Sequence, residues 1–233
     1  MVADRTLYKR RYLIAGIITA LIFISGILLG LVMDYERLNF ANEVAAQQEV
    51  EFKSLQINSL IIDEFKSREE ICSILHVSLE QVLVDLGDSL ERVEKFETES
   101  NINKENYELM LRTYFLDNMR YWIFARKSKE ICDMDLVNVL YFYSKESCDI
   151  CPTQGTLLTY YKKKYGNDLL IFPINTDLRE SEDVIPVIMQ IFDIKEYPSI
   201  IIDNRKFEGL VNKEDLGKLI CASFKNEEKC QLD

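Results

Sequence analysis

The sequence predicts an α/β protein in which a C-terminal domain follows a transmembrane helix and an all-α region. Three observations predict this class. Residues 12–33 are apolar and uncharged, and residues 34–130 hold apolar residues at helical spacing with no proline and one glycine. Residues 131–233 alternate strand-like and helix-like segments and contain all four prolines of the chain. We therefore expect four parts, of which residues 1–11 are a short basic N-terminus.

Residues 12–33 are long enough to cross a bilayer as a helix, which takes about 20 apolar residues. Four basic residues precede this run within residues 1–11, and Asp34 and Glu36 follow it. The positive-inside rule then predicts a cytoplasmic N-terminus and a body outside the cytoplasm, anchored in the cell membrane by a single pass. The alternative is a cleaved secretory signal, but the run exceeds the apolar core of about 7–15 residues usual there. Both interpretations export the body.

Residues 34–130 are predicted to form amphipathic helices, because apolar residues recur three and four positions apart with charged residues between them. Three polar stretches are the predicted breaks and give three or four helices: 66–68, 97–103 and 127–129. We expect a bundle or stalk that spaces the C-terminal domain from the membrane. Between Ile71 and Val93 the spacing approaches heptads, so a homodimer is an alternative to packing within one chain.

The elements of the C-terminal domain follow from apolar runs and turn residues. In chain order we predict a strand at 136–143, a helix at 152–165, a strand at 169–174, a helix at 184–192, a strand at 199–202, a strand at 206–211 and a helix at 213–224. Gly166 is expected to stop the first helix. Pro198 opens the third strand, where the backbone donor that proline lacks is not needed.

Cys148 and Cys151 stand between the first strand and the first helix of this domain, separated by two residues. Two thiols at this spacing can close a disulfide with each other. The N–H groups at the amino end of a helix stabilise a thiolate, which lowers the pKa of the first cysteine. The pair therefore predicts thiol–disulfide exchange, for which we expect both sulfurs to lie open to solvent. Cys148 would attack a substrate disulfide or be attacked when oxidised, and Cys151, less exposed one helical turn on, would resolve the mixed disulfide.

This order of elements, with a C-x-x-C pair at the first strand–helix junction, resembles the thioredoxin fold from about residue 136 to residue 222. The segment from Phe192 to Ile200 resembles that family's approach to its cis-proline, which would be Pro198. The resemblance implies a central mixed sheet flanked by helices. It also implies that Tyr197 and Pro198 bind a substrate strand through the backbone and that the protein is a thiol–disulfide oxidoreductase. The predicted membrane segment would anchor this oxidoreductase in the membrane and place it outside the cytoplasm.

Three features depart from the family's pattern. Ser147 stands where the family usually has Trp, and Phe142 stands where thioredoxin has a buried acid. Asp149 places a negative charge beside Cys148, which works against a low thiol pKa. These departures leave the direction of electron flow open. They also support an alternative, a redox-inactive binding or scaffold protein in which the C-x-x-C pair is a structural disulfide.

Four further cysteines remain among the six of the chain. Outside the cytoplasm, cysteines that are not catalytic are usually paired. The preferred pairing is Cys72 with Cys132, which closes a long loop, and Cys221 with Cys230. The alternative for the second pair is a redox couple that relays electrons.

Charge and composition exclude several classes of function. The formal net charge of −11 disfavours sequence-independent binding to nucleic acid. His76 is the only histidine and no second C-x-x-C knuckle is present, so neither a metal site nor a histidine-based triad is expected. No glycine-rich phosphate loop appears, and we expect no cofactor. The expected partners are cysteine-containing exported proteins as substrates, and a redox protein that recycles the pair.

Overall fold

The computed structural model describes residues 13–31, 67–98 and 104–231, together with residues 57 and 64. The chain divides into two compact units, Met1–Ile61 and Ile62–Asp233, which are described separately. The predicted basic N-terminus, most of the predicted break at 97–103 and nearly all of residues 34–66 lie outside the described residues.

Helix α1, Leu13–Leu31, is the described part of the first unit apart from residue 57. Its 19 residues have a mean hydropathy of 2.5 and none of them is buried. At 1.5 Å per residue the helix is about 29 Å long, close to the thickness of the hydrocarbon core. Length and composition therefore suffice for a membrane anchor or a signal sequence.

Helices α2, Arg68–Thr98, and α3, Lys104–Cys132, form an antiparallel pair. The direction follows from a disulfide that joins Cys72, near the start of α2, to Cys132, at the end of α3. The buried side chains of α2 recur at helical spacing: Leu75, Ser78, Leu79, Val82, Ser89 and Val93. Because α2 presents this stripe to the protein interior, packing holds the helix in place.

The predicted break at 127–129 is wrong, since α3 continues through it to Cys132. The segment contains neither glycine nor proline, and its polar side chains are accommodated by tertiary structure. Ser128 is buried, and the Lys129 ammonium lies 2.8 Å from the carboxylate of Asp203. The described part of the region thus consists of two long helices.

The sheet has four strands in the order β2-β1-β3-β4. Its strands are β1, Val137–Tyr143; β2, Leu169–Asn175; β3, Ser199–Ile202; and β4, Arg205–Glu208. β1 pairs in parallel with β2 and antiparallel with β3, which pairs antiparallel with β4. β1 lies between two strands and two layers of helices, which explains why its sequence is apolar apart from Asn138.

Helices cover both faces of the sheet. They are α4, Cys151–Tyr165; α5, Val184–Ile191; and α6, Lys213–Cys221. Leu140 and Phe142 of β1 pack in one apolar cluster with residues of α3 and α5. Val139 and Tyr141 point to the opposite face and pack with residues of α4 and α6. The predicted fold class is therefore confirmed: an apolar N-terminal helix, an all-α region, and a C-terminal mixed sheet flanked by helices.

Two element ends differ from the prediction by three residues, and the other ends agree to within one residue. β4 ends at Glu208, because Gly209 follows with a φ of 77° that leaves the strand conformation. α6 ends at Cys221 rather than Phe224.

Candidate active site

The cysteine pair lies where β1 gives way to α4. β1 ends at Tyr143, Cys148 lies in the connection, and Cys151 is the first residue of α4. A disulfide joins the two cysteines. No side chain caps the amino end of α4 among the described residues, so its first N–H groups are left to interact with negative charge. A thiolate formed on Cys148 would be stabilised there.

The two cysteines differ in access. We expected both sulfurs to lie open to solvent, and the structure corrects this, because Cys148 is only 8% exposed and Cys151 only 2%. Cys151 faces inward from α4, and its backbone carbonyl accepts a hydrogen bond of 2.5 Å from the Tyr141 hydroxyl. A substrate sulfur can therefore reach the pair only through a small exposed area, and most of that area belongs to Cys148.

Hydrogen bonds to Asp177, which follows β2, hold the connection before Cys148 in place. The Asp177 carboxylate accepts hydrogen bonds from the Ser144 hydroxyl at 2.5 Å and from the Lys145 backbone N–H at 2.7 Å. The Ser144 oxygen accepts in turn from the backbone N–H of Ser147 at 2.9 Å. We call Ser144, Lys145, Ser147 and Asp177 the loop latch. It fixes the backbone immediately before the first cysteine.

The loop latch was missed in the sequence. A signal was present, because Asn175 at the end of β2 and the next two residues, Thr176 and Asp177, are polar after an apolar run. β1 and β2 are parallel neighbours, so their carboxyl ends meet at one edge of the sheet. A polar segment after β2 can therefore reach the loop after β1.

Pro198 lies at the same end of the sheet as the cysteine pair. The Tyr197–Pro198 peptide is cis, and β3 begins at the next residue. β3 runs antiparallel to β1, and Ser199 pairs with Phe142 near the end of β1. The Pro198 carbonyl accepts a hydrogen bond of 2.8 Å from the Gly209 N–H. Tyr197 packs against the apolar cluster on the α3 side.

Tyr141 and Phe142 set the environment beneath the pair. Burial, and then the neighbouring Tyr143, raise the pKa of Tyr141 to about 12, while a hydrogen bond with the backbone of Gly155 lowers it. Tyr141 is thus a neutral phenol near pH 7 and can only act there as a hydrogen-bonding group. Phe142 is fully buried and offers no proton acceptor.

The other four cysteines form two further disulfides, Cys72 with Cys132 and Cys221 with Cys230. The second lies away from the candidate site. Lys229, next to Cys230, donates a hydrogen bond of 3.1 Å to the carbonyl of Asp135, just before β1. Cys148 lies beyond the other end of β1. A strand of seven residues spans roughly 20 Å, which is too far for direct exchange between the pairs.

No group of three or more His, Cys, Asp or Glu side chains suited to a metal ion occurs within the described ranges.

No protein-family model and no curated protein matches the chain. A solved structure of a malarial protein is 28% identical, over 38% of this chain and 97% of its own, with a TM-score of 0.32. Chloroplastic thioredoxin z is 14% identical, over 42% of this chain and 88% of its own, with a TM-score of 0.33. Malassezia sympodialis thioredoxin is 18% identical, over 41% and 81%, with a TM-score of 0.31. The fold described above rests on this chain's own strand order and not on these similarities.

Proposed function

We propose that this chain is a membrane-anchored thiol–disulfide oxidoreductase that acts on cysteines of exported proteins. One observation carries the proposal: a C-x-x-C disulfide at the uncapped amino end of α4, at the same end of the sheet as Pro198. The difference in exposure between the two cysteines gives them different roles.

The exchange runs through a mixed disulfide. With the pair oxidised, a substrate thiolate attacks the sulfur of Cys148, a bond forms between them, and the Cys148–Cys151 bond breaks to leave a Cys151 thiolate. A second substrate thiolate then attacks the substrate sulfur and displaces Cys148 as a thiolate. The substrate leaves as a disulfide, the pair holds two more electrons, and the substrate thiols have lost two protons. The same steps in reverse reduce a substrate.

The residues around the pair support these steps by position. The amino end of α4 stabilises the Cys148 thiolate as leaving group or nucleophile, against the opposing charge of Asp149. The loop latch holds the backbone before Cys148, and the Tyr141 hydroxyl holds the first turn of α4. Tyr197 binds the substrate strand through its backbone. Pro198 has no N–H and its carbonyl already accepts a hydrogen bond from Gly209, so it can add only a side-chain contact to that strand.

Helix α1 serves as the anchor in this proposal, with residues 1–11 in the cytoplasm and the body outside. Its length and hydropathy support a span, and the basic residues before it support the orientation. Three disulfides in the body agree with an oxidising compartment. The recycling partner is another thiol–disulfide protein.

A trapping experiment tests the exchange. In the reducing direction the Cys148 thiolate attacks a substrate disulfide, and the Cys151 thiolate then displaces the reduced substrate. With Cys151→Ser this second step is lost, so exported proteins should accumulate as covalent adducts on Cys148 that dithiothreitol releases. The matched control is Cys148→Ser with Cys151→Ser, which should trap nothing. The absence of any adduct, together with no reaction with a model disulfide or dithiol, would overturn the proposal.

A second candidate is a binding or scaffold protein in which the pair is a structural bridge, and the low exposure of Cys148 favours it. A redox titration separates the two functions. Exchange proteins have potentials of about −120 to −270 mV, whereas structural disulfides usually lie below about −300 mV. A catalytic pair should be reduced in glutathione buffers that leave Cys72–Cys132 oxidised. If both disulfides instead stay oxidised in those buffers, the result would support the binding or scaffold function.

A further inference from the structure

The helical hairpin of α2 and α3 exposes apolar side chains at regular spacing. Five of them are between 38% and 63% exposed, and we call them the outer stripe: Val77 and Val84 in α2, and Leu109, Leu116 and Ile123 in α3. In each helix the stripe residues lie seven positions apart, which places them on one side of that helix. Apolar residues at this spacing are typical of surfaces that pack against other helices.

The outer stripe faces away from the interior of the protein. Val84 lies two residues from the buried Val82, and Ile123 lies two residues from the buried Ala125. At 3.6 residues per turn this spacing is about 200° around the helix axis. Each stripe residue therefore points away from the buried side of its own helix.

The two halves of the outer stripe belong to one face, because the helices pack side by side. Arg120 lies one turn after Leu116 in α3, and its guanidinium is 3.4 Å from the carboxylate of Asp85, the residue after Val84 in α2. Since the helices are antiparallel, Val84 lies level with the part of α3 between Leu116 and Ile123. The seam between α2 and α3 is therefore flanked by apolar side chains on both sides.

The residues that favour a homodimer in the sequence are mostly used within the chain. Of the heptad-like positions between Ile71 and Val93, the side chains of Leu75, Leu79 and Val82 are buried. They pack in the interior and are not available to a second copy. The outer stripe consists of different residues and stays exposed.

The outer face of the hairpin is large enough for an interface between proteins. α3 has 29 residues and α2 is slightly longer, with 31. At 1.5 Å per residue α3 is about 44 Å long, and two helices side by side are about 20 Å wide. The face therefore measures about 900 Å², close to the roughly 800 Å² that each partner contributes to a standard interface.

A second copy of the hairpin matches this face. Both halves of the outer stripe repeat every seven residues, so the α2 half of one copy and the α3 half of another agree in period. A two-fold axis along the hairpin brings these halves together and leaves the start of α2 at the same end in both copies. Both chains can then run to one membrane, where α1 as the proposed anchor would raise the effective concentration of the hairpins.

We propose that the outer stripe is the interface of a homodimer in which two hairpins pack face to face as a four-helix bundle. Val84 of each copy packs between Leu116 and Ile123 of the other. The interface lies apart from the cysteine pair and does not depend on the redox function.

The oligomeric mass of the detergent-solubilised full chain tests the proposal. We expect analytical ultracentrifugation to give the mass of a dimer. Leu116→Asp places a charge in the interface of both copies and should raise the dissociation constant of the dimer at least about 100-fold. The matched control is Ile191→Asp, which places the same charge on an exposed apolar residue of α5 outside the hairpin and should leave the mass unchanged. If Leu116→Asp does not fold, Leu109→Asp makes the same test at a stripe position that is 59% exposed.

A spin label locates the contact. The six cysteines of the chain form three disulfides, so Thr113→Cys on the exposed side of α3 adds a single free thiol for a nitroxide. Two hairpins packed face to face are about 20 Å thick, so the labels of the two copies should lie within about 30 Å of each other. Pulsed electron paramagnetic resonance measures this distance, which should disappear when Leu116→Asp is added.

Three results would overturn the proposal. The first is a chain that stays monomeric, and an immobile label at Thr113 in that monomer would assign the face to another segment of the same chain. The second is a dimer that Leu116→Asp and Leu109→Asp both leave intact, which would assign the association to another surface. The third is equal loss of the dimer in Ile191→Asp.

Discussion

At the scale of single residues, the geometry around Cys148 depends on groups that carry no redox chemistry. Asp177 reaches the connection from 33 and 32 residues away in sequence, at Ser144 and Lys145. Tyr141 reaches Cys151 from within β1. Neither contact follows from local sequence pattern. The Asp177 contacts join segments more than 30 residues apart, and the Tyr141 contact requires that α4 already be packed against β1.

Replacing Asp177 with Ala should loosen the loop latch. The change removes a charged acceptor from two donors, so we expect the free energy of unfolding to fall by about 1–3 kcal/mol. After reduction, Cys148 should react faster with iodoacetamide, since the connection before it is freed. Urea unfolding and alkylation rates measure the two effects. Asp183→Ala, an exposed carboxylate without a cap hydrogen bond, is the control. Equal behaviour of the two variants would contradict the role given to the latch.

Tyr141 should make stability fall at alkaline pH. Its pKa is raised from 10.0 to about 12 in the folded chain, first by burial. Between these values the unfolded chain binds fewer protons than the folded one, so the free energy of unfolding decreases as pH rises through that window and is unaffected by this group below it. Tyr141→Phe should flatten the decrease when urea unfolding is compared at about pH 9 and pH 11. The control is Tyr160→Phe, which replaces an exposed tyrosine and should show the same decrease in stability as the unchanged chain.

At the scale of elements, α4 and α6 pack closely enough to exclude a methyl group. A Cβ added to Gly217 of α6 would overlap the hydroxyl of Tyr161 in α4. That hydroxyl donates a hydrogen bond of 2.7 Å to the carbonyl of Lys213, which holds the start of α6. Glycine at this position is therefore required by packing, although it is a poor helix former.

Gly217→Ala should destabilise the protein by about 1–3 kcal/mol, because overpacking outweighs the gain in helix propensity. Gly87→Ala in α2 is the matched control, since nothing lies within 4 Å of the added atom, and it should stabilise by up to about 1 kcal/mol. Thermal unfolding of both variants checks the opposite signs. A stabilising Gly217→Ala would show that α4 and α6 can separate at no cost.

Most elements could be predicted from the sequence, because β1, β2 and β3 are apolar runs and α4 to α6 have clear turn residues around them. The error at 127–129 has a physical cause. Lys129 was interpreted as a solvent-exposed residue at a helix break. Its side chain instead pairs with Asp203, which lies 74 residues away in sequence and cannot be recognised as a partner from the local pattern. The end of β4 was missed because the prediction followed the apolar residues after Gly209. The strand ends where it does because Gly209 adopts a positive φ.

At the scale of the whole molecule, the Cys72–Cys132 disulfide spans 60 residues and encloses nearly all of α2 and α3. In the chain-entropy model a loop of this length is worth about 4 kcal/mol, whereas a separation of three residues, as in Cys148–Cys151, is worth under about 2 kcal/mol. The first bridge therefore matters more for stability than the pair at the candidate site.

Replacing Cys72 and Cys132 together by Ser should lower the free energy of unfolding by about 4 kcal/mol. The matched comparison is the double replacement of Cys148 and Cys151, which should cost less. Guanidinium unfolding of both variants measures the difference. The reverse order would mean that the cysteine pair at α4, and not the helical hairpin, limits unfolding.

The same bridge has a mechanical consequence for a chain tethered at its N-terminus. Tension arriving from residue 67 would pass from Cys72 through the sulfur–sulfur bond to Cys132, just ahead of β1. The helical hairpin would carry no load, and stretching the oxidised chain should release roughly 200 Å less contour length than stretching the reduced chain. Single-molecule pulling with and without reductant would measure this difference. Equal extensions of the oxidised and reduced chains would show that the disulfide does not carry the load past the hairpin.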